Sequence, residues 1–90
     1  MLFMSIWVWK SENRDEIKKR WSEYKYPEKI KLVGEWLDIT GNRIFVLYEA
    51  DDPATMLEAN DLWLDIALVD TVPVMEAKEV AKIMAEKMER

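Results

Sequence analysis

The chain contains no cysteine and no histidine. The first absence removes disulfides and thiol nucleophiles; together the two remove Cys- or His-ligated zinc, histidine-ligated haem and every catalytic triad or dyad built on imidazole. Glycine occurs twice, at Gly34 and Gly41. There is thus no glycine-rich loop to cradle a phosphate, which argues against nucleotide hydrolysis and dinucleotide redox chemistry. No apolar run approaches the roughly eighteen residues that span a bilayer. The apolar start, Met1 to Lys10, lacks a basic segment before it and a small-residue cleavage site after it, so it does not read as a signal peptide. A soluble, cytoplasmic protein is the expectation. Basic residues are the minority, 13 Lys+Arg against 18 Asp+Glu for a net charge of −5. That balance argues against a nucleic-acid backbone or an anionic membrane as main partner.

What is present is a chain of 90 residues, half of them hydrophobic, with five tryptophans. This length makes one domain, residues 1–90, with room for one core. Glutamine is missing while Lys and Glu together supply 20 residues, a bias found in proteins of heat-loving organisms. Charge is unevenly placed. Seven acidic and no basic residues lie between Asp51 and Glu76, whereas Lys18-Lys19-Arg20 cluster upstream. Asp51-Asp52-Pro53 lacks the regular oxygen-ligand spacing of a calcium loop, so no metal is expected.

The local patterns alternate. Residues 2–9 are apolar, aromatic and too short for a buried helix, and read as a strand. Asn13 with Glu16 three residues on predicts a capping box for a helix over 14–25, with Ile17, Trp21 and Tyr24 on one face, ended by Pro27. Residues 30–39 and 43–50 form a hairpin around Thr40-Gly41-Asn42. Asp52 caps a second helix, Pro53 fits its first position, and the helix runs to about Leu64 with Leu57, Asn60, Trp63 and Leu64 inward. A strand over 66–74 carries Pro73, which suits an edge. Glu76 to Arg90 is a third helix with Ala77, Val80, Ala81, Met84 and Met88 on one side. The order βαββαβ plus a terminal helix gives an α+β, ferredoxin-like sandwich, an antiparallel four-stranded sheet of order 4-1-3-2.

A sheet with helices on one side and water on the other alternates apolar with polar residues. The first strand does not. Leu2, Met4, Ile6 and Val8 make an aliphatic face suited to lie under the helices, and Phe3, Ser5, Trp7 and Trp9 make a second face nearly as apolar. The hairpin doubles likewise, with Ile44, Val46 and Tyr48 against Phe45, Leu47 and Glu49, and Ile30, Leu32 and Trp36 against Val33, Leu37 and Ile39. Three short helices cover one face only, so the second is expected to pack on another chain, most simply in a two-fold homodimer.

Trp7-Val8-Trp9, Val33-Gly34-Glu35-Trp36-Leu37-Asp38, Phe45-Val46-Leu47-Tyr48-Glu49-Ala50-Asp51-Asp52-Pro53 and Thr71-Val72-Pro73-Val74 resemble a family of small prokaryotic proteins known only as a domain of unknown function. That family is similar to the dimeric α/β-barrel group, in which two ferredoxin-like sheets face each other and enclose a pocket. The resemblance reaches to about residue 75 and implies a dimer but no reaction. Members of the wider group include cofactor-independent monooxygenases, lactone isomerases and haem enzymes. The histidine on which the haem type relies, and a histidine-aspartate pair used elsewhere in the group, are missing here, so no cofactor is expected.

Two readings follow. One is a homodimeric module whose inter-sheet cavity binds a small apolar or aromatic molecule through Trp7, Trp9, Trp36, Phe45 and Asp70. Trp7, Trp9 and Trp36 fit an aromatic cage or flat-ligand pocket, with plain dimer-interface packing as the alternative that the enrichment of aromatics in interfaces favours. Asp70 interrupts an apolar strand, as a pocket residue or as the mark of a bulge. The other reading is a cofactor-independent enzyme, an isomerase or monooxygenase, with Glu49 as general base. A carboxylate walled by tryptophans has its pKa raised by desolvation, whereas one at a strand end is solvated or bonded to a neighbour. Trp21 and Trp63, at helical spacing, read as core, and Asn60 as a satisfied hydrogen-bonder.

Overall fold

The computed structural model describes residues 1–88. In chain order they form β1 (Leu2–Val8), a single 3-10 turn leading into α1 (Arg14–Glu23), β2 (Lys31–Leu37), β3 (Arg43–Glu49), α2 (Pro53–Asp61), β4 (Leu68–Pro73) and α3 (Ala77–Met88). The strands join in the order β2-β3-β1-β4, with every neighbouring pair antiparallel. This is the expected ferredoxin-like arrangement, with β1 and β3 central and Pro73 on the edge strand β4.

Local chemistry fixes the joints. The Asp52 side chain accepts the Ala54 N–H at 2.9 Å, and Pro53 opens α2 where its missing donor costs nothing. At the hairpin, Asp38 accepts the Gly41 amide at 2.8 Å through its carbonyl and the Thr40 amide at 3.0 Å through its side chain. Gly41 has φ of 82°, a left-handed conformation that disfavours any Cβ. The capping box expected at Asn13 does not form. Its side-chain amide instead donates to the Ile66 carbonyl at 3.4 Å, tying the start of α1 to the loop before β4.

In β1 the two faces are the reverse of the parity expectation, whereas β3 keeps Phe45, Leu47 and Glu49 on the open face as expected. Phe3, Ser5 and Trp7 stand opposite Tyr48, Val46 and Ile44, and this is the face under α1 and α2. Leu2, Met4, Ile6 and Val8 point to the other side. The reason lies in what the helices bring. The fully buried residues of α1 and α2 number four, Ile17, Thr55, Met56 and Ala59, and two of them are small. Large rings from β1 fill the space that these leave. Trp7 packs on Trp63 with ring centroids 5.9 Å apart, and Trp9 donates its indole N–H to the Gly41 carbonyl at 3.1 Å. The inward stripe of α2 also differs from expectation: Leu57 and Leu64 are 71% and 55% exposed. The helix ends at Asp61, and the turns that follow carry Trp63 into the core while Leu64 turns outward.

A polar thread crosses this aromatic layer. Ser5 Oγ lies 2.7 Å from the Tyr48 hydroxyl and 2.7 Å from Thr71 Oγ1, which accepts the Asn60 side-chain amide at 3.0 Å. Asn60 is thereby satisfied, and α2 is fastened to β4 and β1.

The helix α3 contains no buried residue. The molecule is correspondingly long, 53 × 28 × 18 Å, with a radius of gyration of 15.7 Å against roughly 12 Å for a compact chain of this length. Thus α1 and α2 cover one sheet face, whereas the third helix, expected to share in that cover, stands apart.

Two substitutions test these joints by chemical denaturation. Ser5→Ala leaves the buried Tyr48 hydroxyl without its partner and is expected to lower the unfolding free energy by about 1–3 kcal/mol. Gly41→Ala forces a Cβ into the left-handed region and is expected to cost about 1–2 kcal/mol.

Candidate functional site

Under the helices, six aromatic side chains, Trp7, Trp9, Trp21, Tyr24, Tyr26 and Trp63, together with Ile17 and Ile44, surround a cavity of about 20 Å³. That is room for a water molecule or so, far below the several hundred Å³ of a metabolite pocket. Tyr24 bridges the cluster edge-on to Tyr26 and Trp63, with centroids 5.0 and 5.5 Å away. Among the described residues the buried indole N–H groups of Trp7 and Trp63 have no acceptor.

A carboxylate, Glu35, meets this layer. β2 carries a bulge between Leu32 and Gly34, which sets Glu35 opposite Val46 on the helix side and Trp36 opposite Phe45 on the other. Glu35 Oε2 accepts the Trp21 indole N–H at 3.2 Å and the Tyr26 hydroxyl at 3.3 Å. It is the tie between the edge strand β2, the helix α1 and the segment after it. Burial, then the adjoining Glu35 charge, raises the Tyr26 hydroxyl well above the ordinary tyrosine range, and burial raises Tyr24 as well.

The opposite face of the sheet carries Leu2, Met4, Ile6 and Val8 along its middle. Phe45 and Leu47 flank them on β3, and Leu68, Asp70 and Val72 on β4. Trp36 stands beside Phe45, 53% exposed, with its indole folded over Gly34: a Cβ on Gly34 would lie 2.6 Å from Trp36 Cη2. Among the described residues no helix with buried side chains lies on this face, since those of α1 and α2 join the Trp7 layer.

The residues named from sequence therefore divide. Trp7 and Trp9 lie buried on the helix side. Trp36, Phe45 and Asp70 share the open face, where Trp36 and Phe45 are register neighbours and Asp70 stands two strands away beside Ile6. The five do not converge on one pocket in a single chain. Glu49 lies on the open face as its parity requires, at the exposed end of β3, opposite Leu2 and Lys31. Trp63 is core and Trp21 packs against it. Glu35 and Tyr26 escaped the sequence reading, and Tyr24 entered it as a residue of the inward helix face. The available signal was the charge of Glu35 inside an apolar strand, but only the bulge decides which way it points.

Charged side chains elsewhere hold elements together. Arg20 grips Asp65 with two N–H···O contacts of 2.8 and 2.7 Å, reaches Glu16 at 3.1 Å and donates to the Leu62 carbonyl at 3.2 Å. These bonds fix α1 against the turns after α2 and hold the Asp65 carboxyl below its usual range. Among the described residues, no three His, Cys, Asp or Glu side chains group as around a metal ion, and no helix is long and apolar enough to cross a membrane.

A family model described as a domain of unknown function (DUF3303) matches residues 1–88. The chain belongs to this family. No curated protein and no solved structure matches it. For this DUF3303 chain the match spans both sheet faces and the whole of α3, so α3 and the open face belong to the matched domain.

The aromatic layer makes a pH prediction. Tyr24 and Tyr26 hold their protons in the folded protein above the ordinary pKa of about 10, while the unfolded chain releases them there. Stability is therefore full below about pH 10 and falls as pH rises through the folded values. Denaturation midpoints measured across this alkaline range should fall, and Tyr26→Phe should flatten the slope.

Proposed function

We propose that this protein is a homodimeric module that packs the open face of its sheet on the same face of a second copy. The observation that supports it is the character of that face. Leu2, Met4, Ile6 and Val8 form an unbroken aliphatic row down the centre, flanked by Phe45, Leu47, Trp36 and Val72. An exposed apolar patch of several hundred Å² marks an interaction surface on a soluble protein. A two-fold axis makes such a patch its own complement.

Two sheets facing each other would enclose the Trp36 and Phe45 rings. Any apolar or aromatic small molecule that the dimer takes would lie between the sheets, against these rings and with Asp70 on the same face. Trp7 and Trp9, behind the sheet, would set its rigidity rather than touch the ligand. The second reading, Glu49 as a general base in a cofactor-independent reaction, draws on the same enclosure. Its carboxylate is exposed in one chain, and only the partner sheet would desolvate it.

Sedimentation of the purified chain at micromolar concentration is the test, with a mass of twice 10.7 kDa expected. Ile6→Lys places a charge at the centre of the face and should yield folded monomer. A wild-type chain that stays monomeric at high micromolar concentration refutes the proposal. Binding of a fluorescent apolar probe should be present in the dimer and lost in Ile6→Lys if the inter-sheet space takes ligands.

A further inference from the structure

The sheet face alone is small for a stable dimer. Strands of six or seven residues in a four-stranded sheet outline about 23 by 19 Å, roughly 440 Å². A standard interface takes about 800 Å² from each partner. The molecule has surface to spare: 6964 Å² is accessible, about 1,450 Å² more than a compact monomer of this mass exposes.

α3, none of whose residues is buried, contributes to that surplus. The helix has an apolar stripe of Ala77, Val80, Ala81, Met84 and Met88, with Ile83 at its margin, and none of these residues is buried. A twelve-residue helix is marginal in water without a packing partner. Another group of uncovered apolar side chains lies on the edge strand β2, where Val33, Trp36 and Leu37 are all about half exposed. The two features lie at opposite edges of the sheet, because α3 follows β4 and the order is β2-β3-β1-β4.

Two sheets stacked face to face about a two-fold axis parallel to the strands bring the β4 edge of one protomer over the β2 edge of the other. Resting on the dimer proposed above, we infer that α3 is an exchanged arm, laying its Val80/Met84 stripe on the β2 edge of the second copy at Val33 and Trp36. A helix of this length and width covers roughly 180 Å². Each protomer both gives an arm and receives one, which brings its share to about 800 Å².

The absence of cysteine makes the test clean. Met84→Cys and Val33→Cys are introduced on separate full-length chains of distinguishable mass, mixed, and treated with a short bis-maleimide. A mixed covalent dimer is expected. In a Met84→Lys variant the dimer dissociation constant should rise at least tenfold while the chain stays folded by circular dichroism. Adduct formed only within a chain that carries both cysteines would overturn the arm, since α3 would then cover its own protomer. A dimer without mixed adduct would overturn it too and leave the sheet-to-sheet reading standing. A mixed adduct that survives Ile6→Lys would support the arm while refuting the sheet-to-sheet reading, and a monomeric wild type would sink both.

Discussion

A sheet has two faces, and this chain supplies apolar side chains to both but helices to one. The remaining features answer that constraint. α1 and α2 are short and fully bury only Ile17, Thr55, Met56 and Ala59, so Trp7 and Trp9 from the central strand and its end add the bulk beneath them. The core is in this sense built from the sheet upward. Indole and phenol rings have polar edges, so the layer needs acceptors as well as space. Gly41 and Glu35 meet part of that need, and the thread from Tyr48 through Ser5 and Thr71 to Asn60 serves the hydroxyls.

The part of the fold legible from sequence is the part governed by neighbours along the chain. Asp52-Pro53 starts a helix, Thr40-Gly41-Asn42 turns a hairpin, and Pro73 belongs on an edge; each is a property of three or four residues. Face assignment is different. Alternation in β1 separates Phe3, Ser5 and Trp7 from Leu2, Met4 and Ile6, but which set lies beneath the helices depends on how much volume α1 and α2 bring. A single bulge at Val33 then uncouples Trp36 from Leu32, two residues that simple parity puts together. Asn13 fails as a cap for a similar reason. Its side chain finds the Ile66 carbonyl, an acceptor fifty-three residues away that no local rule can foresee.

The candidate site was legible to the same extent. Trp36, Phe45, Asp70 and Glu49 do share the open face, whereas Trp7 and Trp9 belong to its back. The tryptophans thus have two employments: four make or support the wall and one stands on the side that faces outward. The wall is tight, with a void of about 20 Å³, so the place for a guest molecule lies on the open side and depends on what closes it. Glu35 links these two sides mechanically. It sits on the strand that carries Trp36, one residue before it, and is held by α1 and by the segment after α1.

The sheet order also governs when the chain can fold. Of the four strands β1 is made before the other three, and it lies at the centre, paired with β3 on one side and β4 on the other. Neither partner exists until residues 43–49 and then 68–73 have been made. The hairpin of β2 and β3 closes locally, but it has no seat until β1 joins it. At ordinary rates of synthesis, the most apolar segment of the protein therefore waits several seconds with both edges unpaired. The chain must keep Leu-Phe-Met-Ser-Ile-Trp-Val-Trp from its neighbours on the polysome for that interval, and the strongly charged helix that follows it, rich in Asp, Glu, Lys and Arg, is what travels alongside as its solvating flank.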